Sequence, residues 1–444
     1  MKPPKNTEIQ NLGKCTIPSP IELSKIAGDK IVNYVKDEER VLFDDCIKSF
    51  YKYVKSEKIP PSFEKAGPRE KIFFDPSKLK SAIVTCGGLC PGINDVIRAI
   101  VMQLYYRYGS QNVLGIKYGY QGFIPKFGHD FVQLTPELVE DIHEKGGTIL
   151  SSSRGEQPTE EIVDTLDRNN IKILFCIGGD GTLRGARDIA IEIEKRELNI
   201  SVVGIPKTID NDIAYIEKTF GFETAFSKAE ESIIGAHVEA VGAPNGVGIV
   251  KVMGRHSGYI AASAALACRE VNYVLVPEVE FDLEGENGLL TLLEKRLEAR
   301  KHAVIVVAEG AGQELLKSES AKKFDASGNV RLKDIGTFLR DRIKQHFRDQ
   351  DKEINVKYID PSYIVRSTPA NSSDSIYAAN LAQNAVHAAM AGKTNMVVGT
   401  WHNSFVHIPI ETVGSFRNSI DPESQFWYSV LEATGQPIVM KNDQ

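Results

Sequence analysis

Short runs rich in β-branched residues alternate with longer stretches of helical period from about residue 81 to about residue 400 of this 444-residue chain. This alternation is typical of parallel strands that are joined by crossover helices, so the sequence predicts an α/β fold. The predicted strands are 82–85, 113–116, 171–177, 202–205, 247–253, 273–276, 303–308, 356–359 and 396–398. The predicted helices between them include 95–106, 183–195, 223–237 and 373–391.

Nine strands are more than one mononucleotide-binding half contains. We therefore expect two Rossmann-like three-layer domains with mostly parallel sheets and an active-site cleft between the domains. Residues 1–80 hold helix-like patches at 21–34 and 39–55 but no strong strand, and we interpret them as a partly helical N-terminal extension that wraps the α/β body. The expected domains are 81–221 with about 365–408, and about 222–364 with 409–444.

The charge balance excludes several classes of partner. The chain has 53 basic and 59 acidic residues, a net charge of -6, and no long block of like charge, which argues against a nucleic-acid or membrane partner. The few cysteines lie partly in apolar runs and the first residues are polar, so a cytoplasmic location is expected. Cys86 and Cys90 have a zinc-like spacing, but no second pair accompanies them and no zinc site is predicted.

Three glycine- or polar-rich junctions follow predicted strands, at 86–94, 177–185 and 206–212. Small residues between a strand and a helix expose backbone N–H groups and a helix N-terminus, which together bind phosphate. One such turn is weak evidence, because glycine also serves any tight turn. Three in parallel predict a phosphate site.

Acidic residues inside these junctions suggest a metal. Neither standard nucleotide fingerprint is present, and Asp180 in the second junction would repel a bare phosphate unless Mg²⁺ lay between them. In the third junction, Asp210 and Asp212 stand two residues apart beside Lys207 and Thr208, so one acid can serve as a base and the other can support the metal. A solvated Asx turn is the other interpretation of these two residues.

The motifs GGLCPGIN at 87–94, GGDGT at 178–182, PKTIDND at 206–212 and MGR at 253–255 together resemble the 6-phosphofructokinase family, from about residue 81 to beyond residue 369. The long extension, GGDGT and PKTIDND make the chain similar to ATP-dependent members that are close in sequence to the pyrophosphate-dependent enzymes. The resemblance implies transfer of the γ-phosphoryl group of ATP to the 1-hydroxyl of fructose 6-phosphate in glycolysis, with Mg²⁺. It also implies an allosteric homotetramer or homodimer, and it makes the first domain the nucleotide domain and the second the sugar-phosphate domain.

The resemblance also implies roles for individual residues. Asp210 matches the catalytic base, and Thr208 and Arg255 match further catalytic residues. Asp180 matches the Mg²⁺ ligand, with Asp212 in support. The implied ATP-binding residues are Gly88, Tyr120, Arg154, Gly179, Asp180, Gly181, Thr182, Gly185 and Lys207. The implied substrate-binding residues are Thr208, Ile209, Asp210, Met253, Gly254, Arg255, Glu309, Lys357, Tyr363 and Arg366.

Two positions bear on the phosphoryl donor. Pyrophosphate-dependent members have Asp at the position of Gly181, where a carboxylate would repel the α-phosphate of ATP, so Gly181 favours ATP. Lys207 favours pyrophosphate, because ATP-dependent members usually have glycine there. Two further departures from the family pattern are Gly246 and Lys357, where many members have arginine.

Other functions are open alternatives. A pyrophosphate-dependent phosphofructokinase is the first, and a non-catalytic regulatory relative is the second, although the latter would be expected to have lost Asp210 or Asp180. NAD and lipid kinases also carry GGDGT, but they are not expected to carry PKTIDND followed by MGR.

Overall fold

The structure is a computed structural model that describes residues 2–316 and 331–442. Its strands are β1 Gln10–Asn11, β2 Ile17–Pro18, β3 Arg40–Leu42, β4 Ser62–Lys65, β5 Lys71–Ile72, β6 Lys80–Thr85, β7 Asn112–Ile116, β8 Val132–Leu134, β9 Ile173–Gly178, β10 Ser201–Pro206, β11 Gly246–Val252, β12 Tyr273–Leu275, β13 His302–Ala308, β14 Asn355–Ile359, β15 Lys393–Thr394, β16 Met396–Trp401 and β17 Ser404–Pro409.

The α-helices follow the predicted alternation. They are α1 Ile47–Lys55, α2 Ile93–Met102, α3 Pro136–Val139, α4 Thr159–Arg168, α5 Asp180–Lys195, α6 Phe222–Val241, α7 Tyr259–Cys268, α8 Leu289–Arg300, α9 Ile335–Asp349, α10 Ser372–Met390, α11 Ile410–Val413 and α12 Gln425–Thr434. A π-helical turn, Gln103–Tyr108, continues α2.

The chain forms two compact units, each assembled from separate parts of the sequence. Unit 1 consists of Met1–Thr208, Ile213–Gly221 and Thr368–Arg417. Unit 2 consists of Ile209–Asp212, Phe222–Ser367 and Asn418–Gln444.

Unit 1 contains a nine-stranded sheet in the order β3-β4-β17-β16-β10-β9-β6-β7-β8. The strands from β16 to β7 are parallel, and antiparallel strands lie at both edges. The register aligns Thr85 with Ile177, and Ile177 with Ile205, so β6, β9 and β10 end at the same level. The loops that follow these three strands therefore leave the sheet at one edge, which is where α/β proteins bind ligands.

Unit 2 contains a parallel four-stranded sheet in the order β12-β13-β11-β14. Its core combines apolar residues of β11 and β13 with buried leucines and isoleucines of α8 and α9. All nine predicted strands are present across the two units, and the predicted α/β class with mostly parallel sheets is confirmed. In the described ranges no helix combines the length and hydrophobicity that a membrane crossing requires.

The N-terminal segment corrects the sequence prediction. Residues 21–34 form no helix, and the 39–55 patch divides into strand β3 and helix α1. Strands β3 and β4 pair with each other, and β4 extends the main sheet along β17, although no strong strand was expected here. Strands of three or four residues are too short for their alternation to stand out in a sequence.

Candidate active site

The first glycine junction of unit 1 is held against a second loop. Gly87 has φ +85°, and its N–H donates to the carbonyl of Ser153 at 3.1 Å. The Ser152 hydroxyl donates to the carbonyl of Gly87 at 2.7 Å, and the Thr85 hydroxyl donates to the carbonyl of Ser151 at 2.7 Å. These bonds fix Gly88 next to the segment that ends at the exposed Arg154.

The last residue of the GGLCPGIN motif has a structural task. Asn94 is buried; its amide donates to the carbonyl of Lys145, and its side-chain oxygen accepts from the N–H of Ile149, both at 3.0 Å. It therefore secures the start of the 145–154 loop.

Lys207 joins the three junctions. Its backbone N–H donates to the carbonyl of Gly178 at 3.0 Å, and its ammonium group donates to the carbonyl of Gly88 at 2.6 Å. The residue is only 5% exposed. Because a buried ammonium is stable only with partners, this one marks a place where negative charge is favoured.

Asp180 is the first residue of α5, directly after the N-cap Gly179. The guanidinium Nε of Arg417 lies 3.2 Å from its Oδ2 atom. No sequence motif pointed to Arg417, because it lies far along the chain and outside every glycine junction. This ion pair places a positive charge beside the carboxylate at the start of α5.

Tyr120 supports the start of α5 from inside the protein. Its hydroxyl donates to the carbonyl of Thr182 at 2.8 Å, and the residue is 6% exposed. A Cβ atom at Gly185 would lie 2.7 Å from the tyrosine ring, so the helix approaches the ring through this glycine. At Gly181 a Cβ atom would meet nothing closer than Arg184, at 3.9 Å.

Thr208 closes the unit 1 part of the third junction, and its carbonyl accepts a hydrogen bond from the Thr219 hydroxyl at 2.8 Å. The next four residues belong to unit 2. There Asn211 has φ +53°, a left-handed conformation that asparagine tolerates, and it forms the corner of a tight turn between Asp210 and Asp212. Ile209, just before the turn, is buried.

Arg255 and Glu309 follow neighbouring strands of unit 2. The N–H of Glu309 donates to the carbonyl of Val252 at 3.0 Å, which places Glu309 beside the MGR segment. Burial raises the pKa of the Glu309 carboxyl, and the positive charges of Arg255 and Arg366 oppose that rise. The guanidinium of Arg366 lies 4.8 Å from the centre of the Tyr363 ring. These residues form a mixed cluster that suits a sugar phosphate.

Met253 and Gly254 lead into this cluster. Gly254 has φ +135°, and a Cβ atom there would lie 2.4 Å from the carbonyl oxygen of Ser257, so the loop requires glycine. Lys357 lies on the exposed side of β14, and its ammonium is 3.6 Å from a carboxylate oxygen of Glu239.

The structure gives a physical reason for Gly246. A Cβ atom at this position would lie 1.9 Å from the carbonyl oxygen of Ala240, at the end of α6. No side chain fits there without a backbone shift, so the chain has no room for arginine at this point.

The donor set fits a magnesium ion. No group of three or more His, Cys, Asp or Glu side chains suitable for a metal occurs in the described part of the chain. Mg²⁺ in phosphoryl-transfer sites is usually held by one or two carboxylates together with substrate phosphates and water, so the single carboxylate of Asp180 at the start of α5 is a sufficient protein contribution.

Most of the chain matches one known protein family. The family profile described as phosphofructokinase matches residues 80–389. The chain belongs to the phosphofructokinase family.

Relatives of this phosphofructokinase family member share most of its length. It is 51% identical over 441 residues to the ATP-dependent 6-phosphofructokinase of Borreliella burgdorferi, covering 98% of both chains. It is 48% identical over 376 residues to ATP-dependent 6-phosphofructokinase 7 of Arabidopsis thaliana, covering 84% of this chain and 77% of that one.

Solved structures of the family share the fold. The pyrophosphate-dependent phosphofructokinase of Marinobacter aquaeolei has a TM-score of 0.67 at 18% identity, covering 82% of this chain and 92% of that chain. The phosphofructokinase of Pichia pastoris has a TM-score of 0.61 at 22% identity, covering 82% of this chain and 38% of that chain.

Proposed function

We propose that this protein is an ATP-dependent 6-phosphofructokinase, which transfers the γ-phosphoryl group of ATP to the 1-hydroxyl of fructose 6-phosphate and yields fructose 1,6-bisphosphate and ADP in glycolysis. The observation that carries the proposal is the meeting of three in-register junctions of unit 1 at the buried Lys207, whose ammonium donates to the carbonyl of Gly88 and whose backbone N–H donates to the carbonyl of Gly178. Relatives that are 46% and 51% identical over nearly the full length are named for this activity, which supports the donor and the acceptor.

Unit 1 is proposed to bind ATP. Phosphoryl transfer depends on positioning and charge neutralisation more than on covalent chemistry. The backbone N–H groups around Gly88 and Gly179, together with Lys207 and the exposed Arg154, supply positive potential for the phosphates. Asp180 would hold Mg²⁺ with support from Asp212, and the ion would neutralise charge on the phosphate oxygens.

Unit 2 is proposed to bind the sugar phosphate and supply the base. Asp210 takes the proton of the 1-hydroxyl as the oxygen attacks the γ-phosphorus, and the bond from that phosphorus to the bridging oxygen of ADP breaks. Arg255 and Arg366 bind the phosphate of fructose 6-phosphate, and Glu309 accepts hydrogen bonds from its hydroxyl groups. Met253, Gly254, Lys357 and Tyr363 complete the proposed substrate residues.

The donor is assigned from the two positions that differ between the branches of the family. Gly181 opens space at the start of α5, whereas a carboxylate there would oppose the α-phosphate of ATP. Lys207 favours pyrophosphate, which makes a pyrophosphate-dependent enzyme the second candidate. The charge of Lys207 also suits the phosphates of ATP, so it does not exclude ATP, and we assign ATP as the donor.

The test is to identify the product. Purified protein with Mg²⁺, ATP and fructose 6-phosphate is expected to form fructose 1,6-bisphosphate, detected by its cleavage with aldolase, with one ADP for each bisphosphate. The same protein should not phosphorylate NAD. ADP release that does not depend on fructose 6-phosphate, or a phosphorylated NAD product, would contradict the proposal.

A further inference from the structure

The turn that carries Asp210 is held by its backbone. Within unit 2, the buried Ser257 donates from its hydroxyl to the carbonyl of Asp210 at 3.1 Å. The backbone N–H of Asn418 donates to the carbonyl of Asp212 at 2.8 Å, and its side-chain amide donates to the carbonyl of Asn211 at 3.4 Å. All three carbonyl groups of the Asp-Asn-Asp turn thus accept a hydrogen bond from one of two segments.

One carboxylate connects these two segments. Glu278 accepts from the N–H of Gly258 at 3.0 and 3.1 Å and from the N–H of Ile420 at 2.9 Å. Gly258 follows Ser257 directly, and Ile420 lies two residues after Asn418. Glu278 therefore fixes both segments at positions next to the residues that hold the turn.

The setting of Glu278 shows that these bonds matter. Burial raises the pKa of its carboxyl, and the hydrogen bonds from the backbone N–H groups of Ile420 and Gly258 oppose that rise. A Cβ atom at Gly258 would lie 3.0 Å from the Glu278 carboxylate and 2.3 Å from Val276, so the loop passes closer to the carboxylate than any other residue would allow.

We propose that Glu278 is a positioning residue for the catalytic base, acting on the Asp210–Asp212 turn through the Ser257 and Asn418 segments. The inference rests on the proposed function, because it gives Asp210 the role of base. Glu278 makes its contacts with backbone amides and has no part in the chemical step. Its effect is to keep the Asp210 carboxylate at the distance and angle that proton removal requires, and an error of about 1 Å in such a position lowers a rate by about 100-fold.

The experiment compares four variants with the wild type. Glu278→Leu removes both acceptor oxygens, Glu278→Gln keeps one, and Ser257→Ala removes the bond to the Asp210 carbonyl. Glu280→Leu is the matched control, because this exposed glutamate lies two residues away and pairs with Lys441 at the surface. For each, kcat and KM for fructose 6-phosphate are measured, together with hydrogen exchange of the backbone amides at 209–213.

The expected pattern separates positioning from general stability. Glu278→Leu and Ser257→Ala should each lower kcat by about 10- to 100-fold with less than about a 3-fold change in KM, and Glu278→Gln should fall between Glu278→Leu and the wild type. The double variant with Ser257→Ala and Glu278→Leu should be little worse than the poorer single variant, since both changes act on one contact. Exchange at 209–213 should accelerate in both single variants and remain unchanged in Glu280→Leu.

Two results would overturn the proposal. The first is an unchanged kcat in folded Glu278→Leu and Ser257→Ala. The second is strictly additive losses in the double variant with no faster exchange at 209–213. If the wild type itself makes no fructose 1,6-bisphosphate, the proposed function fails, while the exchange measurement still reports whether Glu278 orders the turn.

Discussion

Replacement of Gly181 by aspartate isolates the charge that is expected to separate ATP from pyrophosphate as donor. Gly181 is the second residue of α5, and a Cβ atom there has only the end of Arg184 nearby, at 3.9 Å. An aspartate therefore fits without a steric clash. An acidic residue in the first turn of a helix is also favourable by about 0.3–1 kcal/mol, so the folded protein should be as stable as the wild type or slightly more so.

The size of the effect follows from Coulomb's law. Two unit charges about 4 Å apart interact by about 4 kcal/mol at the effective dielectric constant near a protein surface. Position 181 is exposed, so water and salt reduce this repulsion, and we expect about 2–4 kcal/mol. This corresponds to a loss of about 30- to 1,000-fold in kcat/KM for ATP.

The assay measures kcat/KM for ATP at saturating fructose 6-phosphate, with thermal unfolding of the same samples. Gly181→Asn matches aspartate in shape without its charge, and Gly181→Ala adds only the Cβ atom. Both controls should stay within about 5-fold of the wild type. Unchanged ATP kinetics in Gly181→Asp would show that a negative charge at this position does not exclude ATP. An equal loss in Gly181→Asn would show that side-chain volume, rather than charge, discriminates between the donors.

Four further outcomes are expected. Asp210→Ala should lower kcat by about 100-fold or more with a small change in KM for fructose 6-phosphate, and an equal loss in binding would point to a positioning role instead. Tyr120→Phe removes a buried hydrogen bond to the start of α5, so the free energy of unfolding should fall by about 1 kcal/mol and KM for ATP should rise, as urea titration and kinetics will show. Gly246→Arg should unfold the protein or sharply lower its Tm, because the carbonyl oxygen of Ala240 in α6 would lie 1.9 Å from the new Cβ atom. The control Gly235→Ala lies inside α6, where a Cβ atom meets nothing within 4 Å, and it should raise the free energy of unfolding by about 0.5–1 kcal/mol. Burial lowers the pKa of His387 from 6.5 to about 4, so as the pH falls the unfolded state takes up a proton before the folded state does. The free energy of unfolding of the wild type should therefore fall by about 2 kcal/mol between pH 7 and pH 5. Urea titrations at pH 7 and pH 5 should show that His387→Gln does not have this loss.

The parts of the fold that the sequence predicted are those in which pattern and burial agree. Strands β6, β9 and β10 are buried on both faces, so each appears as a continuous apolar run and was found within two residues of its ends. The edge strand β3 and its neighbour β4 are not predicted, because short strands next to helix-like composition carry little periodicity.

The candidate site also contains residues that the sequence predicts and residues that it does not. The glycine junctions could be predicted because they are contiguous in sequence and the register of a parallel sheet brings their ends to one level. Arg417 and Asn418 could not, because their contacts with Asp180 and with the Asp210–Asp212 turn join segments about 200 residues apart. Glu278 belongs to no recognisable sequence motif, and only its hydrogen bonds to two loops in the structure indicate its role.

ATP as the phosphoryl donor is tested by comparing ATP and pyrophosphate as donors to fructose 6-phosphate in the wild-type protein, with Mg²⁺ present and sedimentation on the same sample to identify the assembled species. We predict efficient formation of fructose 1,6-bisphosphate from ATP and a kcat/KM for pyrophosphate that is lower by about 100-fold or more. Efficient use of pyrophosphate with little or no use of ATP would show that the protein is a pyrophosphate-dependent enzyme instead.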